Sequence, residues 1–154
     1  MLRSIVLATA IFLAPGIASA QSLEGVWSLV EAETTSGPDA GTVSRQPGLL
    51  IFTGRHYSHA YVNSAEARPR LSDSPTDAER GRVFTPYTSN TGTYERDGST
   101  VNIRVLVAKS PGRMEPGGPG NVVSREITEL TRTTLVMTSS TPSGNVTYRY
   151  TRVE

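Results

Sequence analysis

The chain contains no cysteine. No disulfide can staple it and no thiol can act as nucleophile or metal ligand, so its stability has to come from a packed core. It has one tryptophan, Trp27, and two histidines, His56 and His59. Three apart on a strand, the histidines point to opposite faces and make a poor metal pair, so neither a metal nor any other cofactor is implied. There is no Gly-x-Ser-x-Gly elbow, which leaves nucleophilic hydrolysis without its usual parts. Basic runs are also missing. Setting aside Arg3, one of 15 basic residues, the chain balances 14 basic against 14 acidic side chains. Such a chain has no electrostatic footprint for nucleic acid or for an anionic membrane surface.

Long hydrophobic runs are absent with one exception, at the start. Met1-Leu2-Arg3 supplies a positive charge, residues 4–14 are almost wholly apolar, Pro15-Gly16 breaks a helix, and Ala18-Ser19-Ala20 offers small residues for cleavage. The run falls well short of the ~18 to 20 residues a spanning helix needs. It reads as a secretory signal peptide over residues 1–20, with cleavage near Ala20 and no stable membrane insertion. The expected product is a single domain over residues 21–154, periplasmic or secreted.

Within that domain, period-two alternation and turn residues dominate. Strands are expected at residues 23–34, 48–53, 56–63, 91–96, 100–109, 122–130, 134–140 and 145–152. Gly54-Arg55 and Asp97-Gly98 read as hairpin turns. The segment Ser74-Pro75-Thr76-Asp77-Ala78-Glu79-Arg80 has a capping residue, a proline placed for the first helical turn and early acidic residues. It predicts a short helix between the third and fourth strands, ending near Phe84 and acting as a lid or plug through Val83 and Phe84. Residues 110–121, rich in proline and glycine, read as a mobile loop at one barrel end. Eight antiparallel strands on so short a chain can form a sandwich or a barrel. Closure removes exposed edges, so the expected fold is all-β, an eight-stranded up-and-down antiparallel barrel with one short helix.

The segment Leu23-Glu24-Gly25-Val26-Trp27-Ser28-Leu29-Val30 is followed by Pro47-Gly48-Leu49-Leu50-Ile51-Phe52-Thr53-Gly54-Arg55-His56-Tyr57-Ser58 and then by Gly92-Thr93-Tyr94-Glu95. In order and spacing these segments resemble the bacterial and fungal lipocalin-like domain family, over most of the chain after residue 20. The resemblance implies a calycin-type barrel and, by analogy, binding of a small apolar or amphipathic molecule. It lends no catalytic residue.

The third strand carries the most suggestive chemistry. Tyr57, His59 and Tyr61 alternate onto one face, and if that face is inward, two phenols and an imidazole line the cavity. With Trp27, Tyr94 and Tyr148 they form the candidate ligand-binding set; the alternative is that the tyrosines simply fill the core. Glu31 and Glu33 share a face of the first strand with Trp27 and Leu29. If Trp27 points inward, they approach the open mouth, either as an acid/base pair or solvated at the rim. The opposite face, with Val26, Ser28, Val30 and Ala32, is also fairly apolar, so alternation alone leaves the inward side open. Val101, Ile103, Val105 and Val107 form a β-branched core face; Leu135 with Met137 and Tyr148 with Tyr150 form two more. Arg152 is placed to stack on Trp27, with Arg149 its rival. Three function classes follow. One is a carrier of a small apolar molecule; another is an isomerase or cyclase type of enzyme using His59, Glu31 or Glu33. The third is an interaction or inhibitor module acting through the loops at 35–47 and 110–121.

Overall fold

The protein is represented by a computed structural model that describes residues 21–118, 120–141 and 144–154. The signal peptide expected at residues 1–20 lies outside them. Nine strands form one antiparallel sheet: β1 (Gly25–Thr34), β2 (Val43–Ser44), β3 (Gly48–Thr53), β4 (His56–Val62), β5 (Tyr87–Asp97), β6 (Thr100–Ala108), β7 (Val122–Leu130), β8 (Thr134–Thr141) and β9 (Gly144–Arg152). Each of β3 to β8 pairs with the next, and β1 pairs with both β3 and β9, so eight strands close into a barrel. The two-residue β2 is an addition to the expected set. It pairs with the far half of β1 through Ala32↔Ser44 and Glu33↔Val43, while the near half of β1 pairs with β3. Together β2 and β3 run along one edge of β1, interrupted at Arg45-Gln46-Pro47, where proline has no N–H to give a ladder.

One end of the barrel has only short connections: Gly54-Arg55, Gly98-Ser99 with its flanking residues, and the turn before Thr134. Trp27 plugs this end and is 0% exposed, its indole Nε1–H donating to the carbonyl of Leu23 at 2.9 Å. The Arg152 guanidinium lies over the indole, 4.0 Å from the ring centre. It also donates to the carbonyls of Glu24, Ser22 and Arg132 at 2.7, 2.8 and 2.8 Å. One side chain thus joins the segment before β1, the β7–β8 turn and the final strand. Gly25 has φ +136°, and a Cβ there would collide with Arg152 Nη1 and the Glu154 carbonyl oxygen. Its missing side chain is the space through which Arg152 reaches. Arg149, the rival, faces outward.

Above the plug the interior is filled by Leu50, Phe52, Val101, Ile103, Leu135 and Met137. Two bulges alter which residues reach it. In β1 the register against β9 shifts between Leu29 and Glu31. A bulged residue moves the side-chain alternation by one position, so Trp27 and Leu29 point in, and beyond Val30 it is Ala32 that is buried. In β6 the register against β5 shifts at Leu106, between Thr91↔Val107 and Gly92↔Val105. Val101, Ile103 and Val105 are core, but Leu106 and Val107 are 54% and 60% exposed, which corrects the expectation of an uninterrupted β-branched face running to Val107. Gly92 allows that bulge, because a Cβ there would overlap the Arg104 carbonyl.

The helix α1 (Asp77–Phe84) lies between β4 and β5 as expected, but its cap is Thr76, two residues beyond Ser74. Thr76 Oγ1 accepts from the Glu79 N–H while the Glu79 carboxylate accepts from the Thr76 N–H, a complete capping box that Ser74 has no glutamate to build. Hydrogen bonds donated by the Thr76 N–H and the Thr76 hydroxyl hold the exposed Glu79 carboxyl below its ordinary pKa. Lys109 Nζ donates to the carbonyls of Phe84, Thr85 and Tyr87, placing a cation on the helix C-terminus. None of the helix residues is buried, and Phe84 is 52% exposed. The helix does not plug the barrel; it stands at the end opposite Trp27. The loop after β6 opens with a 3-10 turn (Pro111–Arg113). It is tied down by Asn121, whose amide donates to the carbonyls of Val105 and Arg113 at 3.1 Å each.

Arg152→Ala is expected to lower folding stability by about 2 kcal/mol, from the lost cation–π contact and charged hydrogen bonds. Urea titration followed by the emission of Trp27 measures this, and a red-shifted native spectrum should accompany the loss. Gly25→Ala should produce the same signature through steric displacement of the same guanidinium.

Candidate functional site

Facing strands bring four tyrosines, a histidine and an arginine into the half of the barrel away from Trp27. Tyr57, His59 and Tyr61 alternate inward on β4, Tyr148 and Tyr150 on β9, and Arg125 on β7 between the inward Val123 and Ile127. Arg125 and His59 are both buried. Arg125 Nη2 lies 3.3 Å from His59 Nδ1, and His59 Nε2 lies 3.2 Å from the Tyr150 hydroxyl. A guanidinium only donates, so His59 Nδ1 is the acceptor, the imidazole is neutral, and its proton sits on Nε2 facing the Tyr150 oxygen. The His59 ring stacks on Tyr61 at 4.6 Å between centres, and the Arg125 guanidinium lies over Tyr148 at 5.1 Å. The hydroxyls of Tyr61 and Tyr148 are 3.3 Å apart, and the Tyr57 hydroxyl donates to Asn90 Oδ1 at 2.7 Å.

Arg125 has no anionic partner. Among the described residues no carboxylate pairs with it, and the residues outside the description include neither aspartate nor glutamate. Its Nε and Nη1, together with Asn90 Nδ2, are buried donors with nothing to donate to. Burial opposes the charge on Arg125, but a guanidinium is so strongly basic that it stays protonated, and ionisation of the surrounding Tyr150, Tyr148, Tyr61 and Tyr57 at high pH would only hold its proton more firmly. His59 is pushed well below its ordinary 6.5 by burial first, and further by the charges of Arg125 and Arg113. Burial raises Tyr57 to about 12, with Arg125 and Arg113 pulling weakly the other way. Tyr148 and Tyr150 are raised too, again chiefly by burial. At neutral pH the cluster is therefore one fixed positive charge among neutral dipoles.

This cluster borders a cavity of about 710 Å³, lined on its inner side by Arg125, Asn90, Tyr61, Tyr148 and Ser139, with Arg113 from the loop beyond β6 at its edge. The β7–β8 ladder ends at Arg125↔Ser139. Past that pair, Val122–Ser124 and Ser140–Thr141 carry no further pairing with each other and both border the cavity, so a slot in the wall opens beside the guanidinium. The acidic residue at the slot, Glu126, alternates to the outer face of β7 and accepts from Thr100 Oγ1 at 3.1 Å.

Of the residues singled out from sequence, Tyr57, His59, Tyr61 and Tyr148 gather around Arg125, and Tyr61 and Tyr148 border the cavity itself. Trp27 and Tyr94 do not; Tyr94 packs edge-on against Phe52, 4.7 Å between centres, toward the plugged end. Glu31 and Glu33 are displaced outward by the bulge at Val30. Glu31 meets Arg45 at 3.3 Å and Arg149 at 4.0 Å on the outer surface, so no acid/base pair forms at the mouth. His59 is poorly placed as a base, because Arg125 occupies its lone pair. Among the described residues no three His, Asp or Glu side chains gather as a metal site. Arg125, Asn90 and Arg113 were not anticipated. The signal for Arg125 was present in Val123-x-Arg125-x-Ile127, which puts a guanidinium on an otherwise apolar face.

No family model matches the chain, and no curated protein matches it in sequence. In structure it is similar to a lipocalin-like protein from Bacteroides uniformis, with a TM-score of 0.50 and 15% identity over 84% of this chain and 97% of that one. The fold is lipocalin-like. An uncharacterized protein from Bacteroides eggerthii aligns at TM-score 0.47 and 14% identity, covering 85% of this chain and 99% of its own. A redesigned β-barrel aligns at 0.45 and 17%, covering 86% and 92%.

Two outcomes are expected. Because the folded pKa of His59 lies below the unfolded value, the unfolded chain binds the extra proton. Stability should therefore fall as pH drops below 6.5, by up to about 1.4 kcal/mol per unit. Denaturant midpoints between pH 7.5 and 5.5 should show this slope, and His59→Gln should flatten it. Arg125→Met should raise stability by about 1–3 kcal/mol, since it removes a buried charge that has no counter-charge; calorimetry on the two proteins decides the sign.

Proposed function

We propose that the protein is an exported binder of a small amphipathic molecule, which it holds in the barrel cavity as a single domain spanning residues 21–154. The observation that carries this reading is the cavity beside Arg125. At about 710 Å³ it falls within the size range of small-molecule pockets, and its lining sets Val122, Val123, Tyr61 and Tyr148 among serine and threonine residues, with Arg125 and Asn90 at its inner side. Unmet buried donors in such a place are expected of a site whose partner arrives from solution. The enzymatic reading loses support from the same geometry, because Glu31 and Glu33 face outward and the His59 lone pair is engaged. Export is supported by the pattern of residues 1–20 and by the lack of cysteine, which makes the chain indifferent to an oxidising compartment.

Two measurements test the proposal. N-phenyl-1-naphthylamine, a neutral dye that brightens in apolar surroundings, should bind the purified domain at about one equivalent; a dye signal no greater than that of unfolded protein would count against a cavity binder. Expression of the full chain in a Gram-negative host should place it in the periplasm with an N-terminus at Gln21. Retention of the first 20 residues in the cytosolic fraction would remove the export half of the proposal.

A further inference from the structure

We infer that the molecule held beside Arg125 is a monocarboxylate, with its carboxylate seated against the Arg125 guanidinium and the Asn90 amide and its apolar part lying in the cavity. This rests on the cavity-binding reading and adds the chemistry of the ligand. Two residues that border one cavity carry three buried nitrogens without a partner: Nε and Nη1 of Arg125 and Nδ2 of Asn90. All three are donors. A neutral alcohol or ketone would satisfy one or two of them and leave the charge on Arg125 uncompensated, whereas a carboxylate has two oxygens with about four lone-pair sites and one negative charge.

The neighbouring groups favour the same ligand. Tyr61 and Tyr148 share a hydrogen bond in which only one hydroxyl can donate to the other, so the second proton is free for the cavity. Asn90 is held by the Tyr57 hydroxyl at its Oδ1, which leaves its amide nitrogen, and not its oxygen, as the group without a partner. His59 turns no acceptor to the cavity, since its Nδ1 lone pair is taken by Arg125. The nearest carboxylate, Glu126, points to the other face of β7. Arg113 at the rim adds a second, half-buried positive charge on the path in. One fully buried cation calls for one negative charge, which a carboxylate supplies; a phosphate monoester dianion would bring two.

Displacement of N-phenyl-1-naphthylamine tests this, with decanoate, methyl decanoate and decyl phosphate as competitors at pH 7.5, each below its micellar concentration. Decanoate should displace the dye at a concentration about tenfold or more below that of methyl decanoate, the size of effect expected for charged hydrogen bonds. In Arg125→Gln the dye should still bind and the preference for acid over ester should disappear. Asn90→Ala, which keeps the arginine, should weaken decanoate about threefold or more and leave the ester unchanged. Dye binding with equal displacement by acid and ester, an unaltered acid preference in Arg125→Gln, or tighter binding of decyl phosphate than decanoate would overturn the carboxylate assignment alone. Absence of dye binding, with no rise in melting temperature on adding decanoate, would overturn the cavity-binding reading beneath it. If Arg125→Gln does not show the buried Trp27 emission of the parent, the acid-to-ester ratio in the parent and in Asn90→Ala decides.

Discussion

The stacking of Arg152 on Trp27 is the contact on which the barrel depends. The residue comes from the last strand and the indole from the first, so the same pair that plugs the interior also joins the two ends of the sheet. A barrel sealed in this way needs only tight turns at that end, and the connections there are short. The long ones, residues 35–42, 63–86 and 109–121, all fall at the other end. Apolar side chains fill the volume next to the plug, and the polar residues collect where the strands part and solvent can reach.

Much of this arrangement is legible in the residues themselves. Strands β3 and β7 begin and end where alternation and turn chemistry put them, β3 between Pro47 and Gly54 and β7 between Asn121 and the turn at Thr131-Arg132-Thr133. The helix was readable too, though its cap moved from Ser74 to Thr76, since the glutamate three residues on outweighs a proline alone. Phase was harder to read. A bulge costs one residue and leaves no mark in composition, so Ala32 in place of Glu31 follows only from pairing β1 with β9, two strands 110 or more residues apart. At Leu106 the mark does exist, but it sits on the neighbouring strand, as Gly92. Strand β2 has two residues and no local preference of its own; it exists because β1 continues past the point where β3 has turned away.

The site shows the same division. Tyrosines and a histidine on alternate positions announce an inward polar stripe, whereas a lone arginine on a strand more often faces water. Only closure of the sheet puts Arg125 inside, and only the full set of neighbours shows that no carboxylate awaits it. Burial sets the protonation of the groups around it. The tyrosines keep their protons because they are out of water, and His59 stays neutral because it is out of water and next to a cation. A buried charge without a counter-charge that organises its surroundings in this way fits the binding site proposed above.

The bulge at Val30 acquires a second meaning in that light. Had β1 kept its alternation, Glu31 would have followed Trp27 and Leu29 into the interior, at the level of β9 where Tyr148 lies beneath Arg125. The barrel would then carry its own counter-ion, and the guanidinium would be neutralised from within. One additional residue in the first strand sends that carboxylate to the outer surface, where Arg45 and Arg149 take it up. A local irregularity of backbone geometry thus determines the sign of the electric potential in the chamber.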